Sequence, residues 1–307
     1  MRKIYHNRFR AMGTRLYVLF PDLDHNHGER VFNKIKKEVE RIESRISWFR
    51  DDSDLSRIND LAAQEPVELD DEMLDILLVC QTCWELTDGL FDITLRPLLN
   101  YWRSMDPENP DESKFLQVKE RTGQENVRID EERQALTFDQ EGVEIDLGGF
   151  GKGYALEKIK EMLIEKKVNR AFISFGESSI LALGDHPAGG DWKIGIRNYM
   201  EPGSSAYEFK VRDGSVSTSS NFHLTDGGSL EKHSHIIDPM TGEAPSALSS
   251  VSVKFSSAVV AEMMSTAFLI CSDDNKIIEV VNKYQGMEAI RVNYDTGAPK
   301  ITQFHKT

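Results

Sequence analysis

Residues 146–154, Asp-Leu-Gly-Gly-Phe-Gly-Lys-Gly-Tyr, constrain the fold more than any other stretch of this 307-residue chain. A carboxylate closes an apolar run, four glycines and a lysine follow, and an amphipathic segment runs from Ala155 to Ile164. That order predicts a strand, a tight turn and a helix whose N-terminus faces the turn. Glycine lets backbone N–H groups approach an anion closely, and the helix dipole favours an anion at that end. The loop matches neither standard phosphate template. Gly153 stands where a Walker loop needs Ser or Thr, and Tyr154 stands where the dinucleotide fingerprint needs glycine. On its own the loop is read equally well as a phosphate cradle or as a plain strand-to-helix turn.

Composition narrows the partners. The length allows one large core or two smaller ones. No segment approaches the roughly 20 apolar residues of a membrane span. Residues 1–14 carry neither an apolar export region nor a lipobox cysteine, so the expected location is cytoplasmic. A formal net charge of −14 argues against nucleic acid, whose phosphates need a basic face. An anionic small molecule could bind where a metal or local cations offset that field. Of the three cysteines, Cys80 and Cys83 fall inside a helical apolar pattern with Leu77, Leu78 and Trp84. They are expected to pack as small apolar residues in a reducing compartment.

Along the chain, residues 4–20 read as a strand interrupted at Met12-Gly13-Thr14. A helix over about 29–46 carries Val31, Ile35, Val39, Ile42 and Ile46 on one stripe. Ser53 is a plausible cap for a short helix, and Asp70 or Asp71 for the next, which ends near Gly89. Residues 95–102 are apolar, with Pro97 near their start. Residues 105–114 are polar and proline-punctuated, the best linker or insertion. Strands follow near 126–129, 134–138 and 142–147, then 170–175, 192–197, 207–211 and 215–217. Residues 222–234 read as loop. A strand at 249–255 precedes a helix at 257–271, and the end reads as helix, strand, turn, strand. Mixed elements with many adjacent strands predict an α+β fold rather than a doubly wound sheet.

Three clusters could carry chemistry. Glu262 and Thr266 are four residues apart on one helix face, with Ser265 beside them. They offer the hard oxygen ligands that Mg²⁺ prefers. The neighbours Val259, Val260, Met263, Met264 and Phe268 are apolar, so a charge there should be paired, protonated or metal-bound. His233 and His235 alternate before Ile236-Ile237-Asp238-Pro239. A zinc pair lacks a third soft ligand, which favours a single histidine acting on a phosphate or a proton. The hydroxyl-rich run Gly214–Ser220 could line a polar pocket, but on its own it reads better as loop solvation.

Taken in order, these segments resemble the ApbE family of FAD:protein FMN transferases. The matching pieces are Met12-Gly13-Thr14, Asp52-Ser53 through Asn59, Gly89-Leu90-Phe91-Asp92 with Pro97-Leu98 and Trp102, and Asp146 to Tyr154. Phe175-Gly176, Ser217-Thr218-Ser219, His235 through Pro239 with Gly242, and Ala261 to Ala267 complete the set. They cover residues 10 to 270.

The resemblance implies a single domain over 1–307, with mixed and antiparallel sheets, flanking helices and a ligand cleft between sub-domains. It implies an enzyme that splits the FAD pyrophosphate, releases AMP and esterifies FMN to a Thr or Ser of a client protein. Met12, Phe49, Leu90, Phe91, Asp92, Asp146, Lys152 and Ile236 would contact FAD. The Gly149 carbonyl, Glu262, Ser265 and Thr266 would hold Mg²⁺. Phe49 and Phe91 could offer a ring an apolar face. His235 is the candidate for moving the acceptor proton or gripping a phosphate.

The chain departs from the family pattern at several points. Glu262 stands where the family usually has Asp, Glu177-Ser178-Ser179 where Gly-Gly-Asn or similar is common, and Ser220 where Gly is common. Phe49 replaces a frequent aromatic hydroxyl, and no usual acceptor motif is present in the chain. The alternative readings are a non-catalytic FAD-binding protein of the same fold and an FAD pyrophosphatase.

Overall fold

The computed structural model describes residues 4–106, 111–225, 229–232, 236–295 and 298–306. Strands β1 (Tyr5–Ala11) and β2 (Thr14–Phe20) form a hairpin that turns at Met12 and Gly13, both at positive φ. Next come helices α1 (His25–Ile46) and α2 (Asp54–Leu61), strand β3 (Val67–Glu68) and α3 (Asp71–Leu86). Helices α4 (Arg96–Ser104) and α5 (Glu112–Lys119) precede β4 (Val127–Asp130), β5 (Ala135–Phe138) and helix α6 (Gly151–Glu165). Strands β6 (Ala171–Phe175), β7 (Ser179–Leu183), β8 (Trp192–Arg197) and β9 (Ser205–Val211) follow. Then come β10 (Gly214–Ser220), β11 (Phe222–Leu224), β12 (Leu230–Lys232) and β13 (Ser249–Phe255). The chain closes with α7 (Ala258–Ile270), α8 (Asp274–Lys283), β14 (Glu288–Asn293) and β15 (Lys300–His305).

Eight strands form one sheet in the order β1-β2-β6-β7-β10-β13-β14-β15, and every neighbouring pair is antiparallel. A small sheet, β3-β5-β4, and two hairpins, β8-β9 and β11-β12, stand apart from it. The expected α+β class is what the chain adopts. Alternation along the strands gives the large sheet two apolar faces. On β7, Leu181 and Leu183 join the larger core, with α1, α6 and α7, while Ala182 joins a second core under β8 and β9. Trp192, Ile194, Phe209 and Val211 fill that second layer.

Local signals set the element ends. Asp24 caps α1 through the His27 N–H, four residues before the start that the apolar stripe alone suggests. Ser53 and Asp70 cap α2 and α3 as expected. Pro97 sits in the first turn of α4, where a missing N–H is harmless. Cys80 and Cys83 are buried in α3, and burial pushes both thiols up.

Two expectations give way. Residues 142–147 form no strand. The Asn59 side chain takes both backbone groups of Ile145, and the Ile93 carbonyl takes the Asp146 N–H. Within 222–234, read as loop, β11 and β12 pair as a hairpin. Of the proposed linker at 105–114, residues 112–114 open helix α5, and residues 107–110 lie outside the described residues. None of the described helices is long and apolar enough to cross a membrane.

Candidate functional site

The site begins where α6 crosses α7. A Cβ built on Gly153 would lie 2.7 Å from the Ala258 carbonyl oxygen and 2.7 Å from Glu262 Cβ. Only glycine permits this approach, which sets Lys152 of α6 against Glu262 of α7. Next to the crossing, residues 147–150 turn sharply, and the Gly148 N–H donates to Asp146 Oδ1 at 2.8 Å. A cleft of about 440 Å³ opens over this turn.

Phe49, Leu90, Phe91, Asp92, Asp146, Lys152 and Ile236, drawn from five separated places in the sequence, line that cleft together. Gly149, Glu262 and Thr266 share its wall. A second chamber of about 700 Å³ adjoins it, shares Trp48, Phe49, Gly148, Lys152 and Ser178 with it, and contains Met12. The two volumes fall within the range of roughly 300–1,000 Å³ usual for ligand sites. His233 and His235 lie outside the described residues; Ile236, next to His235, faces the cleft.

Glu262 is the electrostatic centre. It is 4% exposed in a helix of apolar neighbours, where an unpaired carboxylate would be strongly unfavourable. Each of its oxygens is engaged. Lys152 Nζ donates to Oε1, while the Ser179 and Ser217 hydroxyls donate to Oε2 at 2.5 and 2.6 Å. Ser179 and Ser217 are register partners on β7 and β10, so the pleat presents both hydroxyls to the same oxygen.

Thr266 lines the cleft, and Gly149 packs close to it: a Cβ on Gly149 would meet Thr266 Oγ1 at 3.7 Å. Ser265 differs from expectation. It is wholly buried behind that wall, donates to the Glu262 carbonyl at 2.9 Å and meets Ser219 Oγ at 2.8 Å. It braces Glu262 rather than facing the ligand space.

Asp92 and Asp146 both line the cleft. Burial is the first cause that pushes both carboxyls above the usual range. Hydrogen bonds from Thr94 to Asp92, and from the Gly148 N–H to Asp146, oppose that shift. At the cleft mouth Phe49 is 76% exposed and stacks on Trp48, ring centroids 3.6 Å apart. The Arg96 guanidinium covers the Trp48 ring at 4.4 Å. Phe49 thus presents an exposed aromatic ring, whereas Phe91 is buried in the cleft wall.

The donor chemistry bears on a metal. Among the described residues, no group of three or more His, Cys, Asp or Glu side chains is placed to hold an ion. One carboxylate with hydroxyl and carbonyl oxygens beside a phosphate site is the habit of Mg²⁺, which takes few protein ligands and completes its shell with substrate and water. Glu262, Thr266 and the Gly149 backbone fit that description once Lys152 leaves Oε1.

A model of the ApbE family matches residues 12–291. The chain belongs to the ApbE family. It is 27% identical over 286 residues to the FAD:protein FMN transferase of Escherichia coli K12, covering 89% of this chain and 80% of that relative. It is 24% identical over 302 residues to the Haemophilus influenzae protein of the same name, covering 94% and 86%. Among solved structures it is similar to the ApbE protein of Thermotoga maritima, with TM-score 0.82 and 27% identity, covering 98% of this chain and 97% of that one. The fold also matches the flavin transferase ApbE of Vibrio cholerae, with TM-score 0.85 and 21% identity over 99% and 98% of the two chains.

Several residues of this ApbE cleft escape a reading of sequence alone. Thr218, Ser219 and Ser220 are on β10 and line the cleft, so the hydroxyl run is a wall of the site and not solvated loop. Ser217 and Ser179 serve Glu262. For Ser217 the signal was the hydroxyls at alternate positions of β10, with a buried carboxylate elsewhere needing donors; Ser179 on β7 carried no such pattern. Arg103 and Trp48 also line the cleft.

Proposed function

We propose that this chain is an FAD:protein FMN transferase. The observation that carries the reading is the convergence of Phe49, Asp92, Asp146, Lys152, Glu262 and Thr266 on one cleft beside a glycine turn. Full-length relatives named for that activity support it. FAD is the donor substrate and a protein Thr or Ser the acceptor.

In this reading the acceptor oxygen attacks the phosphorus on the FMN side of the diphosphate. The new P–O bond joins FMN to the client, and the bond to the bridging oxygen breaks, so AMP leaves with that oxygen. The acceptor proton passes to His235, assigned here because its neighbour Ile236 faces the cleft. Lys152 holds the diphosphate beside the glycine turn, and Phe49 stacks on a ring of the substrate. Thr266, Glu262 and the Gly149 carbonyl would hold Mg²⁺, with Ser265 bracing Glu262. A bound Mg²⁺ there would neutralise charge that builds on the phosphoryl oxygens.

Mass spectrometry of a mixture of protein, FAD, Mg²⁺ and a peptide bearing the usual family acceptor motif tests this. The expected result is a peptide gaining FMN through a phosphoester, with one AMP per adduct. Free FMN and AMP without adduct would make the protein a pyrophosphatase. Unchanged FAD with protein-bound flavin would make it a binding protein.

A further inference from the structure

Lys152 has two potential anionic partners in one place. Its side chain is 23% exposed at the boundary of both chambers, beside Gly148, yet its ammonium is spent on Glu262 Oε1. Glu262 cannot be left bare, because a buried carboxylate without a counter-charge loses its hydration with nothing in return. Its other oxygen is fixed by Ser179 and Ser217. Oε1 is therefore the single exchangeable position of the carboxylate. It accepts an ammonium or a divalent ion, and two cations on one oxygen repel.

We propose that Lys152 is a placeholder cation: in the free protein it occupies the Glu262 oxygen that a divalent ion needs, and a diphosphate ligand draws it away. The proposal rests on the transferase reading for the identity of that diphosphate. A diphosphate in the cleft gives Lys152 a stronger anionic partner within reach of the same side chain. Its departure opens Oε1, and a divalent ion then restores the charge balance at Glu262. Metal and diphosphate consequently bind with positive coupling, and linkage makes that coupling equal in both directions. A protein built this way holds little metal until its substrate arrives. Neither Ser179 nor Ser217 needs to move, so the exchange involves one flexible side chain.

Titration of Mn²⁺ into the protein, followed by the electron paramagnetic resonance of free Mn²⁺, measures this directly. FAD without protein provides the correction for metal that the nucleotide binds by itself, and Glu262→Gln identifies binding at this site. The wild-type protein should bind Mn²⁺ at least tenfold more tightly with saturating FAD than without it. FAD affinity, read by flavin fluorescence quenching, should tighten by the same factor when Mn²⁺ is added. Lys152→Met, which keeps the aliphatic stem, should bind Mn²⁺ without FAD at least tenfold more tightly than wild type. Lys152→Gln serves if the Met variant does not fold, and the wild-type coupling needs no variant. Equal Mn²⁺ affinity with and without FAD, or no gain in the Lys152 variant, overturns the proposal and makes the pair a permanent structural bridge. If FAD fails to bind under any condition, the transferase reading fails, and the FAD-free comparison of wild type with the Lys152 variant still decides the role of Lys152.

Discussion

Asp92 and Asp146 show how a single residue's environment sets its chemistry. Asp146 was legible in sequence as a carboxylate before a glycine turn and Asp92 only through the family resemblance, while the burial of both was not, because it comes from segments far apart in the chain. Desolvation raises the folded-state value of Asp92 above that of the unfolded chain. The folded protein then binds more protons than the unfolded one between those two values. Stability conferred by that excess is present at low pH and is lost as pH rises through the folded value. Asp92→Asn keeps an acceptor for the Thr94 N–H and hydroxyl while removing the charge. Urea unfolding midpoints measured from pH 4 to 7 should therefore fall less steeply with pH in this variant than in wild type. A steeper fall would mean that the hydrogen bonds from Thr94 outweigh desolvation. The Lys152–Glu262 pair was beyond sequence reading for a related reason. Its members are 110 positions apart, and only the helix crossing joins them.

At the scale of elements, the α6–α7 crossing decides the site. The amphipathic run after the glycine loop and the apolar run after residue 257 were both readable as helices, since periodicity and caps are local. Their approach distance was not. Gly153→Ala puts a methyl 2.7 Å from a backbone carbonyl and 3.1 Å from Val259 Cα, neither of which can swing aside. The helices must separate, an overpacking cost of about 1–3 kcal/mol. The better helix propensity of alanine returns at most about 1 kcal/mol. The net expectation is a loss of about 1–2 kcal/mol in urea unfolding, together with weaker FAD binding as Lys152 and Glu262 move apart. Gly151→Ala is the contrast. Its methyl would meet Ile46 Cδ1 at 2.9 Å, the tip of a flexible side chain. That variant should stay within about 1 kcal/mol of wild type. Equal losses in the two variants would show that the glycines act through backbone freedom rather than through the crossing. Where element reading failed, a side chain had replaced a strand partner: Asn59 satisfies both backbone groups of Ile145, and residues 142–147 join no sheet.

For the whole molecule, the question is whether one cooperative unit or two sub-domains frame the cleft. The larger core runs from Tyr5 to Phe304 and gathers residues from all three thirds of the chain. The cleft is built the same way, from Trp48 to Ile270. The second core shares its sheet with the first through alternating residues of β7 and β14, so neither layer can unfold without exposing the other. We therefore expect residues 1–307 to unfold as a single domain, in one calorimetric transition whose calorimetric and van't Hoff enthalpies agree. Ligand linkage sharpens the test. FAD at about a hundred times its dissociation constant stabilises the state that binds it by about 2.7 kcal/mol. An unfolding entropy of about 2.1 cal/mol/K per residue gives roughly 0.6 kcal/mol/K for 307 residues. The whole transition should then move upward by about 4 °C and remain single. Two peaks, with FAD moving only one, would instead place the ligand on an independent sub-domain. A smaller cooperative unit has a smaller unfolding entropy, so its peak would move by more than 4 °C while the other stayed fixed.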